Sequence, residues 1–63
     1  DPNNAECHQN NAVAQLLGGN IDAARGSFIR AINLLQAQGN ADAAKQLRER
    51  VDGVVKLDGE AVA

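Results

Sequence analysis

The chain has 63 residues, one cysteine and a formal net charge of -2, so it holds one domain at most and cannot form a disulfide within itself. Alanine is abundant, whereas proline and aromatic residues occur once each, a composition that favours helix over sheet. A core this small rarely contributes more than roughly 3–5 kcal/mol. We therefore expect a fold that gains stability from a neighbour, either a second copy of the chain or the rest of a longer protein.

The charge and hydropathy patterns argue against two classes of partner. The basic residues alternate with acidic ones instead of forming the patch that a phosphate backbone requires, so we expect no nucleic-acid binding. No apolar run approaches the length of a membrane span, so we expect neither a membrane span nor a signal peptide within these residues. The lone cysteine does not fix a cellular compartment.

The first predicted helix covers about residues 5–17. Asn3 or Asn4 stands at its start, where an asparagine side chain accepts a hydrogen bond from one of the first free amides. The apolar residues of this helix form a stripe in its second half, which comprises Ala12, Val13, Leu16 and Leu17.

A Gly-Gly-Asn turn separates the first predicted helix from the second, which covers about residues 21–37. Gly18 or Gly19 is expected to end the first helix in the left-handed conformation, and Asn20 to cap the second. The second helix has a broad apolar face made of Ile21, Ala24, Phe28, Ala31, Ile32 and Leu35. We expect the Phe28 ring to lie between the other two helices.

The third predicted helix covers about residues 41–55, after a second Gly-Asn turn at Gly39. Its apolar face comprises Ala44, Leu47, Val51 and either Val54 or Val55. Residues 57–63 show no periodicity and are expected to form a disordered tail after a domain of residues 1–56. Three helices joined by tight turns predict an all-α, antiparallel three-helix fold.

Residues 1–35 resemble a tetratricopeptide repeat (TPR), a helix–turn–helix unit of about 34 residues. Ala24, Phe28 and Ala31 match the family's small–aromatic–small signature, and Gly19 and Asn20 match its turn. The first helix departs from the pattern, since it lacks the aromatic residues and the leucine–glycine pair. The two Gly-Asn turns lie only 20 residues apart, from Gly19 to Gly39. The resemblance therefore implies one repeat followed by a C-terminal capping helix.

The residue types that carry catalysis or bind metals are too scattered to form a site. Cys7 and His8 are adjacent, and neighbours on a helix point about 100° apart, so they cannot share a metal or act as nucleophile and base. We expect His8 to fill the place of an aromatic residue and Cys7 to be semi-buried. We predict no enzyme, no cofactor and no metal.

The resemblance to the TPR family implies a binding surface on the first helix, which lines the concave face of such repeats. The matching residues are Glu6, Gln9, Val13, Leu16 and Leu17. The first helix contains no lysine or arginine, so we reject binding of a terminal carboxylate as some TPR proteins do it. The alternative is that Val13, Leu16 and Leu17 simply pack into the core.

Three functions follow from these patterns. The first is a protein–protein interaction module that binds an apolar segment of a partner protein or a second copy of itself. The second is a purely structural cap at the end of a longer repeat array, with no ligand of its own. The third, a helix-turn-helix DNA binder that uses the turn at residues 37–40, is disfavoured by the acidity of the chain.

Overall fold

The computed structural model describes residues 4–55, and these residues form three helices and no strand. Helix α1 is Ala5–Leu17, α2 is Ile21–Ala37 and α3 is Ala41–Asp52. The predicted all-α class is thereby confirmed. The tail predicted at residues 57–63 lies outside the described residues, as does Asn3, one of the two candidate caps of the first helix.

Helix α1 begins with a side-chain cap. Asn4 has extended backbone angles (φ -93°, ψ 114°), and its Oδ1 atom accepts a 2.8 Å hydrogen bond from the backbone N–H of Glu6. This bond satisfies one of the amides that have no partner within the first turn of a helix. Glu6 also places a negative charge at the positive end of the helix dipole.

The two inter-helix turns have the same hydrogen-bonded geometry. Gly19 has φ 84° and Gly39 has φ 82°, so each occupies the left-handed conformation that glycine adopts without a steric penalty. In the first turn, the N–H of Asn20 donates to the carbonyl of Gln15 at 2.8 Å, and the N–H of Gly19 donates to the carbonyl of Leu16 at 3.0 Å. This is the Schellman arrangement, which pairs the last carbonyls of a helix. Gly19, not Gly18, is thus the left-handed residue.

Asn20 lies at the N-cap of α2, as predicted, but it does not cap the helix through its side chain. Asn20 and Asn40 stand at the N-cap positions of α2 and α3, but neither side chain makes a capping hydrogen bond. Their ψ angles of 78° and 60° differ from the 114° at Asn4. The backbone N–H of each asparagine is used in the preceding Schellman turn, which sets its geometry. The carbonyls of Asn20 and Asn40 accept the first helical bonds, from Ala24 and Ala44, at 3.0 Å.

Helix α3 ends earlier than predicted, at Asp52 instead of Val55. Gly53 follows, and the N–H groups of Val54 and Val55 both donate to the carbonyl of Val51, at 2.8 and 2.7 Å. Sharing one carbonyl tightens the chain into a turn that no longer extends the helix. The turn buries Val55 to 3% exposure and leaves Val54 at 69%, so Val55 completes the apolar face of α3.

Helix α2 is the central element of the fold. Both α1 and α3 pack on it, whereas the backbones of α1 and α3 do not approach each other. The buried core comprises Ala5, Ala12, Ala24, Phe28, Ala31, Ile32, Ala44, Leu47, Val51 and Val55. Ala12, Ala24 and Ala31 are fully buried, and their small side chains allow helices to approach closely. Phe28 is 6% exposed, as expected of a ring enclosed by the helices on either side.

Some apolar residues predicted to share the buried faces lie in solvent. Leu17 is 84% exposed, Ile21 is 44% exposed and Val13 is 46% exposed. Leu17 follows Ala12 by five positions, about 140° around the helix from the buried stripe, so it points away from α2. Cys7 is exposed, so the expectation that it is semi-buried is also wrong.

Candidate partner-binding groove

A groove of about 210 Å³ lies between α1 and α3, above α2. It is lined by Gln9, Val13, Leu16, Phe28, Leu47, Arg50, Val51 and Val54. The groove exists because both flanking helices pack on α2 without meeting each other. Its surface is therefore assembled from all three helices and the turn that follows α3.

The α1 wall is formed by three residues at helical spacing. Gln9, Val13 and Leu16 stand four and three positions apart, which places them on one face of the helix. Leu16 also packs partly against the core, whereas Val13 is 46% exposed at the rim. The α1 wall therefore contacts the core at Leu16 and is exposed to solvent at Val13.

Phe28 forms the floor of the groove. It belongs to the central helix and is only 6% exposed, so the groove meets the one aromatic side chain of the protein at its base. Aromatic side chains bury a large apolar area and dominate the energetics of contacts that they enter. A ligand that reached the floor would contact this ring.

The α3 wall repeats the pattern of the α1 wall. Leu47, Arg50 and Val51 stand at positions i, i+3 and i+4 of α3, which is the spacing of a single helical face, and Val54 follows in the turn after the helix. Leu47 and Val51 are 5% exposed and belong to the core. Arg50 is exposed, and Val54 is 69% exposed at the outer rim.

The groove is apolar, with two polar side chains. Gln9 lines the groove on the α1 side, and Arg50 lines it on the α3 side. Arg50 is the one charged residue among the described residues that line the groove. The groove can therefore bury apolar side chains of a ligand and meet a single negative charge.

Three of the five residues proposed from the sequence as a binding surface lie in this groove, namely Gln9, Val13 and Leu16. Glu6 and Leu17 do not line it and are exposed elsewhere on α1. The sequence reasoning missed the contribution of α3, which it regarded only as a cap. The spacing of Leu47, Arg50, Val51 and Val54 was a usable signal, but it required knowing that α3 faces α1 across α2.

The described residues contain no group of three or more histidine, cysteine, aspartate or glutamate side chains that could hold a metal ion. None of the helices formed by residues 4–55 combines the length and apolarity needed to cross a membrane. Comparison of the chain with protein-family models, with curated proteins and with solved structures gave no match.

Proposed function

We propose that this chain is a protein–protein interaction module, a TPR-like scaffold whose groove binds an apolar segment of a partner protein. The observation that carries the proposal is the pair of exposed valines, Val13 and Val54, on opposite rims above the Phe28 ring. Apolar side chains that face a concave surface from both sides are typical of peptide-binding grooves.

The size of the groove favours side chains of a protein over a small molecule. Pockets that bury drug-sized ligands measure about 300–1,000 Å³. The groove measures about 210 Å³ and is open between its two rims. A partner could insert a few aliphatic side chains there while its own backbone stays outside.

The alternative is a structural cap of a longer repeat array, and exposed residues elsewhere on the surface support it. Leu17 and Ile21 flank the turn between α1 and α2 and are 84% and 44% exposed. A preceding repeat would need such an apolar surface to pack against. The two functions thus depend on different residues, which makes them separable by mutation.

The test is a selection of displayed peptides against the full 63-residue chain. Peptides of about 15 residues with apolar positions at helical or alternating spacing are selected, and their dissociation constants are then measured for two variants. Val13→Asp places a charge on the groove rim. Leu17→Asp places the same charge on the same helix, at a more exposed position outside the groove. Circular dichroism establishes that both variants remain folded.

The proposal expects peptides to be enriched, to bind Leu17→Asp as they bind the parent chain, and to bind Val13→Asp about tenfold or more weakly. Failure to enrich any peptide would overturn it. Weaker binding to Leu17→Asp with unchanged binding to Val13→Asp would also overturn it and favour the structural cap.

A further inference from the structure

We propose that the segment bound in the groove is an amphipathic helix that places a carboxylate against Arg50. This inference rests on the proposed function and specifies the chemistry of the partner. It has two parts, the helical form of the ligand and its negative charge, and each follows from a separate feature of the groove.

The helical form follows from what the groove lacks. An extended peptide leaves its backbone N–H and C=O groups unpaired, and it binds well where a sheet edge supplies partners. Residues 4–55 contain no strand, and the polar residues among those that line the groove are Gln9 and Arg50. A helix satisfies its backbone internally, so it can bury an apolar stripe here without leaving polar groups unpaired.

The negative charge follows from the position of Arg50. Arg50 is exposed, and it lines the groove together with Leu47 and Val51, which are 5% exposed. A partner that covered the groove would remove water from this guanidinium. A desolvated charge is costly unless it gains an opposite charge, so a ligand with a carboxylate is favoured over one without.

The rest of the protein does not supply this carboxylate among the described residues. Arg25 forms an ion pair with Asp22 at 3.0 Å, whereas Arg50 has no ion pair within residues 4–55. The other helix that flanks the groove offers Gln9, Val13 and Leu16 to the ligand, none of which is charged. Within residues 4–55 no carboxylate is paired with Arg50, and the proposal assigns the complementary charge to the ligand.

The test uses three synthetic helical peptides of about 15 residues, each with leucines at positions i, i+4 and i+7. They differ only at position i+3, which carries glutamate, glutamine or lysine. Fluorescence anisotropy measures their affinity for the full chain, for Arg50→Glu and for Arg48→Glu. Arg48 is an exposed residue of the same helix that does not line the groove. Arg48→Glu changes the net charge of the chain by the same amount as Arg50→Glu, so it is the matched control.

We expect the glutamate peptide to bind the parent chain about fivefold more tightly than the glutamine peptide, with the lysine peptide weakest. Arg50→Glu should reverse this order, and Arg48→Glu should preserve it. A fourth peptide, the glutamate sequence with one central proline on its solvent face, should lose binding because proline breaks the helix.

Four results would overturn the inference. Equal affinity of the three peptides, with binding still sensitive to Val13→Asp, would leave the groove as the binding site and remove the charge requirement. Reversal of the order by Arg48→Glu would show a general charge effect. Undiminished binding of the proline peptide would exclude the helical form. Self-association of the chain that Val13→Asp abolishes would make a second copy the occupant. If none of the four peptides binds and the peptide selection also fails, the proposed function fails as well.

Discussion

The hydroxyl of Ser27 donates a 2.8 Å hydrogen bond to the side-chain Oε1 of Gln15, which joins α2 to α1. Ser27 is 4% exposed and is the buried polar residue of the described core. Ala24, Ser27 and Ala31 share a helical stripe, so this bond places the stripe toward α1. The two alanines then explain how the helices come close enough for the bond to form.

Breaking this bond from the glutamine side should be more costly than removing both partners. Gln15→Met keeps the length of the side chain but leaves the Ser27 hydroxyl without its acceptor, and we expect a loss of about 1–2 kcal/mol in the free energy of unfolding. Adding Ser27→Ala should recover part of this loss, because no buried hydroxyl then remains. Urea unfolding of the two single variants and the double variant gives the coupling energy. Strictly additive effects would show that the bond does not stabilise the fold.

The turn between α1 and α2 should respond differently to alanine at its two glycines. Gly19 has φ 84°, where a Cβ atom is strained, so Gly19→Ala should destabilise the protein by about 1–2 kcal/mol. Gly18 has φ -82°, and a Cβ atom there would meet its nearest neighbours at 3.5 and 3.6 Å, which is ordinary contact. Gly18→Ala is therefore the matched control and should be neutral or slightly stabilising. Thermal unfolding measures the change in melting temperature of each variant. Equal changes for Gly19→Ala and Gly18→Ala would contradict the turn geometry.

Gly26 offers a stabilising substitution. It lies within α2, is exposed, and a Cβ atom built on it would meet nothing within 4 Å. Alanine has higher helix propensity than glycine, so Gly26→Ala should raise the free energy of unfolding by about 0.5–1 kcal/mol. Urea unfolding measures the change. A loss of stability would contradict the exposed, uncrowded position of Gly26 in α2.

Phe28 should be the residue whose replacement lowers the stability of the fold most. Replacing a buried phenylalanine by alanine costs about 3–5 kcal/mol, which equals the whole contribution expected of so small a core. Phe28→Ala should therefore lose its helical circular dichroism, whereas Phe28→Leu should retain most of it with a lower melting temperature. Leu17→Ala, at a position that is 84% exposed, should melt within a few degrees of the parent chain. Native-like melting of Phe28→Ala would contradict the packing described above.

The parts of the fold that could be predicted from the sequence are those set by short-range chemistry. Glycine at Gly19 and Gly39 ends the helices because only glycine adopts their φ angles without strain, and this is visible in the sequence. Asn20 lies at the predicted N-cap of α2, but its side chain makes no capping hydrogen bond, and its backbone N–H belongs to the preceding turn. The presence of asparagine before a helix does not show whether its side chain accepts a capping hydrogen bond.

The groove was only half predictable, for reasons of tertiary structure. Gln9, Val13 and Leu16 share a face that can be derived from helical spacing. The exposure of Leu17 and the participation of Arg50 depend on which side of α2 each helix occupies, and the apolar periodicity of one helix does not determine this. The hydrogen bond between Ser27 and Gln15 joins positions 12 residues apart and has no sequence signature of its own.

The most direct test of the account is to map the contacts of the glutamate-bearing helical peptide by nuclear magnetic resonance on the isotope-labelled full chain. The account predicts intermolecular nuclear Overhauser effects from the Phe28 ring and from the methyl groups of Leu47 and Val54, which line the groove on different elements. Contacts confined to Leu17 and Ile21, with none from Phe28, would contradict it.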